Sequence, residues 1–347
     1  MEKIVNNEIS ILIIYTGGTI GMVNDPKTGS WKPFDFDHIK KQMPELNEFG
    51  FKLTTLTFED VVDSSNITPD FWIHLAELIE ENYNDYDGFV VLHGTDTMAY
   101  TASALSYLFE NLSKPIVITG SQLPIGTLRT DGKENFISAI EIAAAKKNKQ
   151  PLVPEVSIFF ENKLHRGNRT TKHNADYFDA FRSHNYPDLA RAGINITYNY
   201  SAIHYPVIKR DLKVYHQLDR DVAILKIFPG ITPAVVEAIT NIEGLRGLVL
   251  ETYGSGNAPT EEWFNEKITR AVDKGIIILN VSQCKAGSVE MGVYETSLGL
   301  MKAGVISGKD ITTEAAVTKL MFLLGQNYTR QEIKEYLSKS MRGEINV

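Results

Sequence analysis

Two threonines stand where apolar runs end in small residues. Thr16-Gly17-Gly18-Thr19-Ile20-Gly21 closes the run Ile9–Ile14, and His93-Gly94-Thr95-Asp96-Thr97 closes Gly88–Leu92. A threonine hydroxyl is a poor nucleophile at neutral pH until a neighbouring base takes its proton. An amine can be that base only if desolvation or nearby positive charge brings its pKa towards neutrality. Thr95, Asp96 and Lys172 form one such set. Lys172 would take a proton from Thr95, or from a water held by it, while Asp96 orients the amine. Thr16, beside the glycine turn, is read as the reactive centre. On residue types alone, a solvated Lys–Asp pair worth about 0–1 kcal/mol is the simpler account of Asp96 and Lys172.

Other chemistries find less support. The dinucleotide fingerprint G-x-G-x-x-G fails because Thr16 occupies its first glycine position, and no Walker lysine follows. The 8 histidines are scattered, without His-x-x-x-His on a plausible helix and without cysteine pairs, so no metal site is expected. His93, at a strand end, reads as a hydrogen-bonded structural residue. There is no G-x-S-x-G. Cys284, the single cysteine, follows an apolar strand and reads as a small buried residue. It precludes an intrachain disulfide and points to a reducing compartment. A formal net charge of −8 argues against nucleic-acid or anionic-membrane partners, which need a basic face. The stretch Met1–Ser10 lacks the build of a signal peptide, and Ile9–Ile14 is too short to span a bilayer. The expectation is a soluble cytoplasmic protein.

The elements that must position these residues alternate along the chain. The uninterrupted run at Ile9–Ile14 fits a parallel strand covered on both faces. Met22–Pro33 reads as a surface loop and possible lid. A strand at Phe51–Phe58 leads into Asp63-Ser64-Ser65-Asn66. Thr68 is expected to cap a helix that starts at Pro69, with Trp72, Leu75, Leu78 and Ile79 as its apolar stripe. Gly88–Leu92, a helix over Met98–Glu110, Pro115–Thr119, the loop Gly120–Asp131, a helix to Lys147 and Val156–Phe160 continue the pattern. Arg166–Lys172 is expected directly after this fifth strand. Such alternation predicts a mostly parallel, doubly wound sheet with the polar clusters gathered on one edge. The irregular Tyr186–Gln217 is followed by strands at Val222–Phe228, Gly247–Glu251 and Ile276–Val281, interleaved with helices. With 347 residues, about two domains are expected: 1–195 catalytic, 196–219 connecting, and 220–347 a smaller α/β domain.

At these residues the sequence resembles the bacterial-type asparaginase family, in its cytosolic type I branch. Thr16–Gly21 and His93–Thr97 are similar to its two signatures. Thr119-Gly120-Ser121-Gln122, Arg166–Lys172, Ser255–Pro259 and Gly304–Gly308 add further matches, in order over nearly the whole chain. The resemblance implies two α/β/α domains: a larger N-terminal one with a mostly parallel doubly wound sheet, and a smaller flavodoxin-like C-terminal one. It implies cofactor-free hydrolysis of L-asparagine to L-aspartate and ammonia. Thr16 would form an acyl-enzyme that water hydrolyses, and Thr95, Asp96 and Lys172 match the second catalytic group. Either threonine has been assigned the first attack within the family. Ser64 and Ser65 suit the substrate carboxylate and Asp96 its ammonium; Ser65 stands where periplasmic relatives carry Gln. Backbone donors around Gly17 and Thr95 suit an oxyanion hole.

Departures from the family pattern also matter. Trp31 stands near the place of the lid tyrosine, and indole cannot act as a base; Tyr294 matches a tyrosine given that job in some type I members. Glu251 stands where some cytosolic relatives have an arginine in an allosteric asparagine site, so the resemblance does not carry that regulation over. Family members form homodimers or homotetramers, and the Ser255 loop can border a neighbour's site. Three rival readings stand beside this one: a non-catalytic asparagine sensor, a dual glutaminase-asparaginase, and an archaeal-type tRNA-dependent amidotransferase subunit. The last normally carries an N-terminal barrel, for which the start of the first strand leaves no room.

Overall fold

The computed structural model describes residues 9–24, 31–33, 43–58, 61–206, 210–293 and 295–346. The chain divides between Tyr215 and His216 into two compact units. Unit one opens with β1 (Ser10–Tyr15), β2 (Lys52–Thr57), α1 (Pro69–Glu81), β3 (Gly88–Leu92), α2 (Met98–Leu108), β4 (Ile116–Thr119), α3 (Gly132–Ala144) and β5 (Val156–Phe160). β1 reads as unbroken apolar sequence because both its faces are covered. Ile11, Ile13 and Tyr15 join Phe136, Ala139 and Ile140 of α3 in one core. Leu12 and Ile14, equally buried, point to the opposite side. There Phe89, in register with Leu12, stacks on Tyr83 just past α1 at 5.9 Å between ring centroids.

The five strands are all parallel, in the order β5-β4-β3-β1-β2. β1 is thus flanked by β2 and β3, and the direction of winding reverses there. In open α/β sheets such a reversal leaves a crevice beyond the carboxyl ends of the two diverging strands, where ligands bind. Thr16 follows β1 and Thr95 follows β3, so the two threonines border this crevice. The flavodoxin-type order belongs to this larger sheet.

The sheet continues past β5 in antiparallel fashion through β6 (Lys163–Arg166), β8 (Ala190–Arg191) and β9 (Thr197–Tyr198). The cause is local: Glu161 and Asn162 both have positive φ, 42° and 56°, making a two-residue hairpin. The expectation that Arg166–Lys172 directly follows the fifth strand is therefore corrected. Arg166 lies opposite Ser157, near the start of β5, where its guanidinium bonds Glu155 at 2.6 Å. The chain then runs back along α2, and β7 (Thr171–Lys172), paired with Phe181–Arg182, returns Lys172 to the threonine edge.

Three smaller expectations also change. Met22–Asn24 and Trp31–Pro33 pair as an antiparallel ribbon rather than a plain loop, with residues 25–30 outside the described set. Thr68 precedes α1 in an extended conformation but its hydroxyl makes no capping bond; Pro69 at the first helical position sets the start. Cys284 is exposed rather than buried, because it lies beyond the end of its strand in a polar turn.

Unit two contains β10 (Val222–Lys226), α4 (Pro233–Thr240), β11 (Gly247–Thr252), α5 (Glu262–Asp273), β12 (Ile277–Ser282), α6 (Glu295–Lys302), β13 (Ile306–Ser307), α7 (Thr313–Gly325) and α8 (Arg330–Leu337). Its four strands are parallel in chain order. Leu225, Leu248, Leu250 and Ile278 pack with Val236, Phe264 and Ile268. Lys319 of α7 is fully buried against Glu344. Burial pushes the Glu344 carboxyl up, but Lys319 and the Met341 and Arg342 N–H groups outweigh it and hold the carboxyl below its usual range, while burial pulls the Lys319 amine down.

Glycine is required where the loops after β1 and β3 cross. Gly18 has φ +90°, and a Cβ there would stand 2.4 Å from Gly94 N and 2.5 Å from Gly94 Cα. A left-handed side chain costs about 1–2 kcal/mol and overpacking about 1–3 more. Gly18→Ala is therefore expected to destabilise unit one by about 2–5 kcal/mol, measured as a lowered midpoint in urea; an unchanged midpoint would mean the loops can separate freely.

Candidate active site

Four strand ends contribute to one cluster. Thr16 is 2% exposed. Its amide and its hydroxyl both donate to Leu92 O, at 3.1 and 2.9 Å, and its carbonyl accepts from Val62 N at 3.0 Å. The hydroxyl proton is thus parked on a carbonyl of β3, which leaves the oxygen's lone pairs for the crevice.

Thr95 is the hub of the second group. Lys172 Nζ donates to Thr95 Oγ1 at 2.8 Å and to Asp96 Oδ1 at 2.7 Å. Thr95 Oγ1 in turn donates to Gln122 Oε1 at 3.2 Å. The lysine side chain is only 17% exposed, whereas that of Asp96 is 66% exposed. The pair is therefore lopsided: the amine is held inside while its carboxylate partner faces solvent. This geometry departs from an ordinary surface ion pair.

Gln122, which residue type alone does not single out, joins the site here. Its amide Nε2 donates to Ala175 O and Tyr177 O, both at 3.3 Å, tying the loop after β7 to Thr95. Asp131 holds this turn by accepting from the N–H groups of Gln122 and Leu123. Burial pushes the Asp131 carboxyl up, and those N–H bonds oppose the shift. The available signal was position: Gln122 follows β4, the neighbour of β3.

Ser64 and Ser65 share a single 3₁₀ turn after β2. Ser64 is buried against Gly94, whose added Cβ would come within 2.6 Å of Ser64 Oγ, and its carbonyl accepts from Thr97 Oγ1 at 2.7 Å. Ser65 is exposed, and both its amide and its hydroxyl donate to Asp63, at 2.9 and 2.8 Å. These bonds hold the Asp63 carboxyl below the usual range. Tyr294 lies outside the described residues. In unit two, Glu251 accepts from Thr313 Oγ1 at 2.6 Å and faces Lys226 at 3.5 Å. Among the described residues, no group of three or more His, Cys, Asp or Glu side chains is arranged to hold a metal ion. No helix among them is long and apolar enough to cross a membrane.

An open α/β sheet with hydroxyl, amine and carboxylate side chains at its switch point is a layout that enzymes use to hold a small polar substrate. Residues 10–204 match the family description "Asparaginase, N-terminal", and residues 221–337 match "Glutaminase/Asparaginase C-terminal domain". The chain is 43% identical to L-asparaginase 1 of Escherichia coli K12, over 97% of this chain and 98% of that one. It is 38% identical to a mouse protein named 60 kDa lysophospholipase, over 100% of this chain and 64% of that one. The crystal structure of L-asparaginase I from Vibrio cholerae superposes with a TM-score of 0.89 at 40% identity, covering 98% of this chain and 100% of that one. The chain belongs to the asparaginase family.

His93 lies directly beneath this cluster, fully buried. Burial pulls its imidazole down from 6.5 to about 4, and the bond to the Gly94 carbonyl opposes the shift only in part. Its contacts are Thr101, Gly94 and the Phe71 ring. The unfolded chain therefore takes up the proton first as pH falls. The stability this group contributes is complete above pH 6.5 and lost as pH drops through about 4, a total of roughly 3 kcal/mol at 1.36 kcal/mol per unit. Urea unfolding at pH 7 and pH 4 is expected to show a drop in stability smaller by about that amount in His93→Asn; equal drops would contradict a neutral buried imidazole.

Proposed function

We propose that this protein hydrolyses the side-chain amide of L-asparagine to L-aspartate and ammonia. The observation that carries this reading is the lysine amine bonded to both Thr95 and Asp96, one strand away from the buried Thr16. In the proposed scheme, Thr16 Oγ1 attacks the amide carbon and loses its proton to a base. The carbon–nitrogen bond then breaks, ammonia leaves with that proton, and an ester to Thr16 remains. Water attacks the ester carbon, giving up a proton through Thr95 to Lys172; the carbon–oxygen bond to Thr16 then breaks, its oxygen takes up a proton passed back through the site, and aspartate departs with the Thr16 hydroxyl restored. No cofactor enters any step.

The base for Thr16 is not among its described contacts, since a carbonyl oxygen cannot accept the proton covalently. Tyr294 is proposed for this role, on the strength of the family resemblance. Asp96, exposed and adjacent to Thr95, is proposed to meet the substrate ammonium. Ser64 and Ser65 are proposed to meet its carboxylate, with Ser65 first releasing Asp63. The protein is further proposed to act in the cytoplasm as a homodimer or homotetramer, as the family resemblance implies.

Thr16→Ala, Thr95→Ala and Lys172→Met are each expected to remain folded and to lower the rate of ammonia release from asparagine by about 10³-fold or more. Steady-state assays on asparagine and glutamine, side by side, measure this and the preference between the two amides. Tight binding of asparagine by the wild-type protein without any ammonia would replace hydrolysis with sensing. For Tyr294→Phe a clear fall in the acylation rate is expected, and an unchanged rate would transfer the base to another group.

A further inference from the structure

The segments that enter the amino ends of β3, β4 and β5 meet at a cavity on the opposite edge of the sheet from the threonines. Asp87 directly precedes β3, Lys114 lies just before β4, and Lys146 and Lys149 lie between α3 and β5. The cavity has a volume of about 420 Å³, within the range of small-molecule sites. Its lining carries three lysines, Lys114, Lys146 and Lys149, against one carboxylate, that of Asp87. In a chain with a formal net charge of −8, this is a local reversal of sign.

Asp87 cannot neutralise all three amines. Its Oδ1 accepts from Lys146 Nζ at 2.6 Å, and its Oδ2 accepts from Ser10 N at 2.9 Å. Lys114 Nζ donates to two neutral groups, the carbonyls of Tyr83 and Tyr86, and lies 4.8 Å from the centroid of the Tyr83 ring. An ammonium has three N–H groups, so one remains for the cavity. Burial pulls the Lys114 amine down; Asp87 and, less strongly, Asp85 oppose this, while Lys146 adds to it. The Lys149 amine has no ion pair or hydrogen bond among the described residues. Two of the three positive charges in the lining therefore lack a carboxylate partner there, which matches a dianion better than a monocarboxylate.

The backbone supports the same reading. Lys146–Lys147 and Gln150–Pro151 pair as a short hairpin around Asn148 and Lys149, both at positive φ, 53° and 64°. Such a two-residue turn favours Asn followed by Gly, because its second position is left-handed. A lysine there strains the backbone, and strain of this kind clusters at binding sites. Beyond the charged groups, the lining is made by the rings of Pro151, Pro154, Pro206 and Tyr205. The Tyr205 hydroxyl donates to Leu152 O at 2.6 Å, which fixes its ring.

We propose that this cavity binds an organic phosphate: Lys114, Lys146 and Lys149 take the phosphate oxygens, and the prolines and Tyr205 take the apolar body. Lysine suits phosphate as a point charge. The site is separate from the crevice at Thr16 and Thr95, and it stands whether or not that crevice hydrolyses asparagine.

Calorimetric titration of the full-length chain with ADP, pyrophosphate and adenosine, in about 0.15 M salt, tests this. ADP is expected to bind, pyrophosphate to bind about threefold or more weakly because it lacks the apolar body, and adenosine not to bind. Lys149→Gly removes the amine and supplies the residue that its turn favours. It is expected to keep or raise the thermal midpoint while weakening ADP by about tenfold or more. Lys302→Glu, on the surface of unit two, is expected to change ADP binding by less than about twofold. No binding of ADP by the wild type, or undiminished binding by Lys149→Gly, overturns the proposal. An equal loss in Lys302→Glu also overturns it, since the attraction would then belong to the whole surface. Adenosine binding as tightly as ADP removes the lysines from the site, and pyrophosphate binding as tightly as ADP removes the organic body. None of these measurements reads ammonia release, so a failure of the proposed hydrolysis and a failure of this site are told apart.

Discussion

The structure of unit one depends on how closely the backbone after β1 approaches the backbone after β3. Gly18 rests on Gly94, and Gly94 rests on Ser64, at separations where even a methyl group would not fit. The same contact brings the Thr16 amide and hydroxyl onto the carbonyl of Leu92, three residues before Thr95. Hydroxyls from two separate signatures can share one crevice only because glycine lets these loops meet. The rigid sheet below determines where they meet, and the reversal of strand order at β1 keeps the space above them open.

Around that contact, each chemical group is held by a different kind of partner. Thr16 is oriented by a main-chain carbonyl, Thr95 by a lysine and a glutamine, and Ser65 by an aspartate. Lys172 comes from a short strand that arrives only after the chain has turned back along α2. Its amine is sheltered while Asp96 is exposed, and this asymmetry separates the cluster from a solvated ion pair worth little to stability. The polar layer beneath, from Trp72 to His93, is neutral and fully bonded, so it can sit in the core without the cost of an unpaired charge.

Much of this was legible in the sequence because the signals are local. The run through Ile9–Ile14 announces a strand buried on both faces, and the structure gives β1 that environment. The strands at Gly88–Leu92 and Val156–Phe160 have the expected bounds. The polar sets after the first three strands do lie on one edge. Where expectation failed, a neighbouring element decided the outcome. Arg166 faces Glu155 because a two-residue hairpin reversed the chain after β5. Cys284 is exposed because its strand ends two residues earlier.

By itself the amino-acid sequence determined most of the longer strands and helices, where glycine must break them, and which residues carry hydroxyl, amine and carboxylate. These follow from periodicity, apolar content and residue chemistry, all properties of short stretches. Only the tertiary structure decided that Lys172 reaches Thr95 across 77 residues, that Gln122 joins them, and that the Thr16 proton points at Leu92. The partners of His93 were also settled there, Gly94 O beside Nδ1 and Thr101 Oγ1 beside Nε2. Such facts depend on sheet order and on the return path of the chain, and no local pattern in the sequence encodes either.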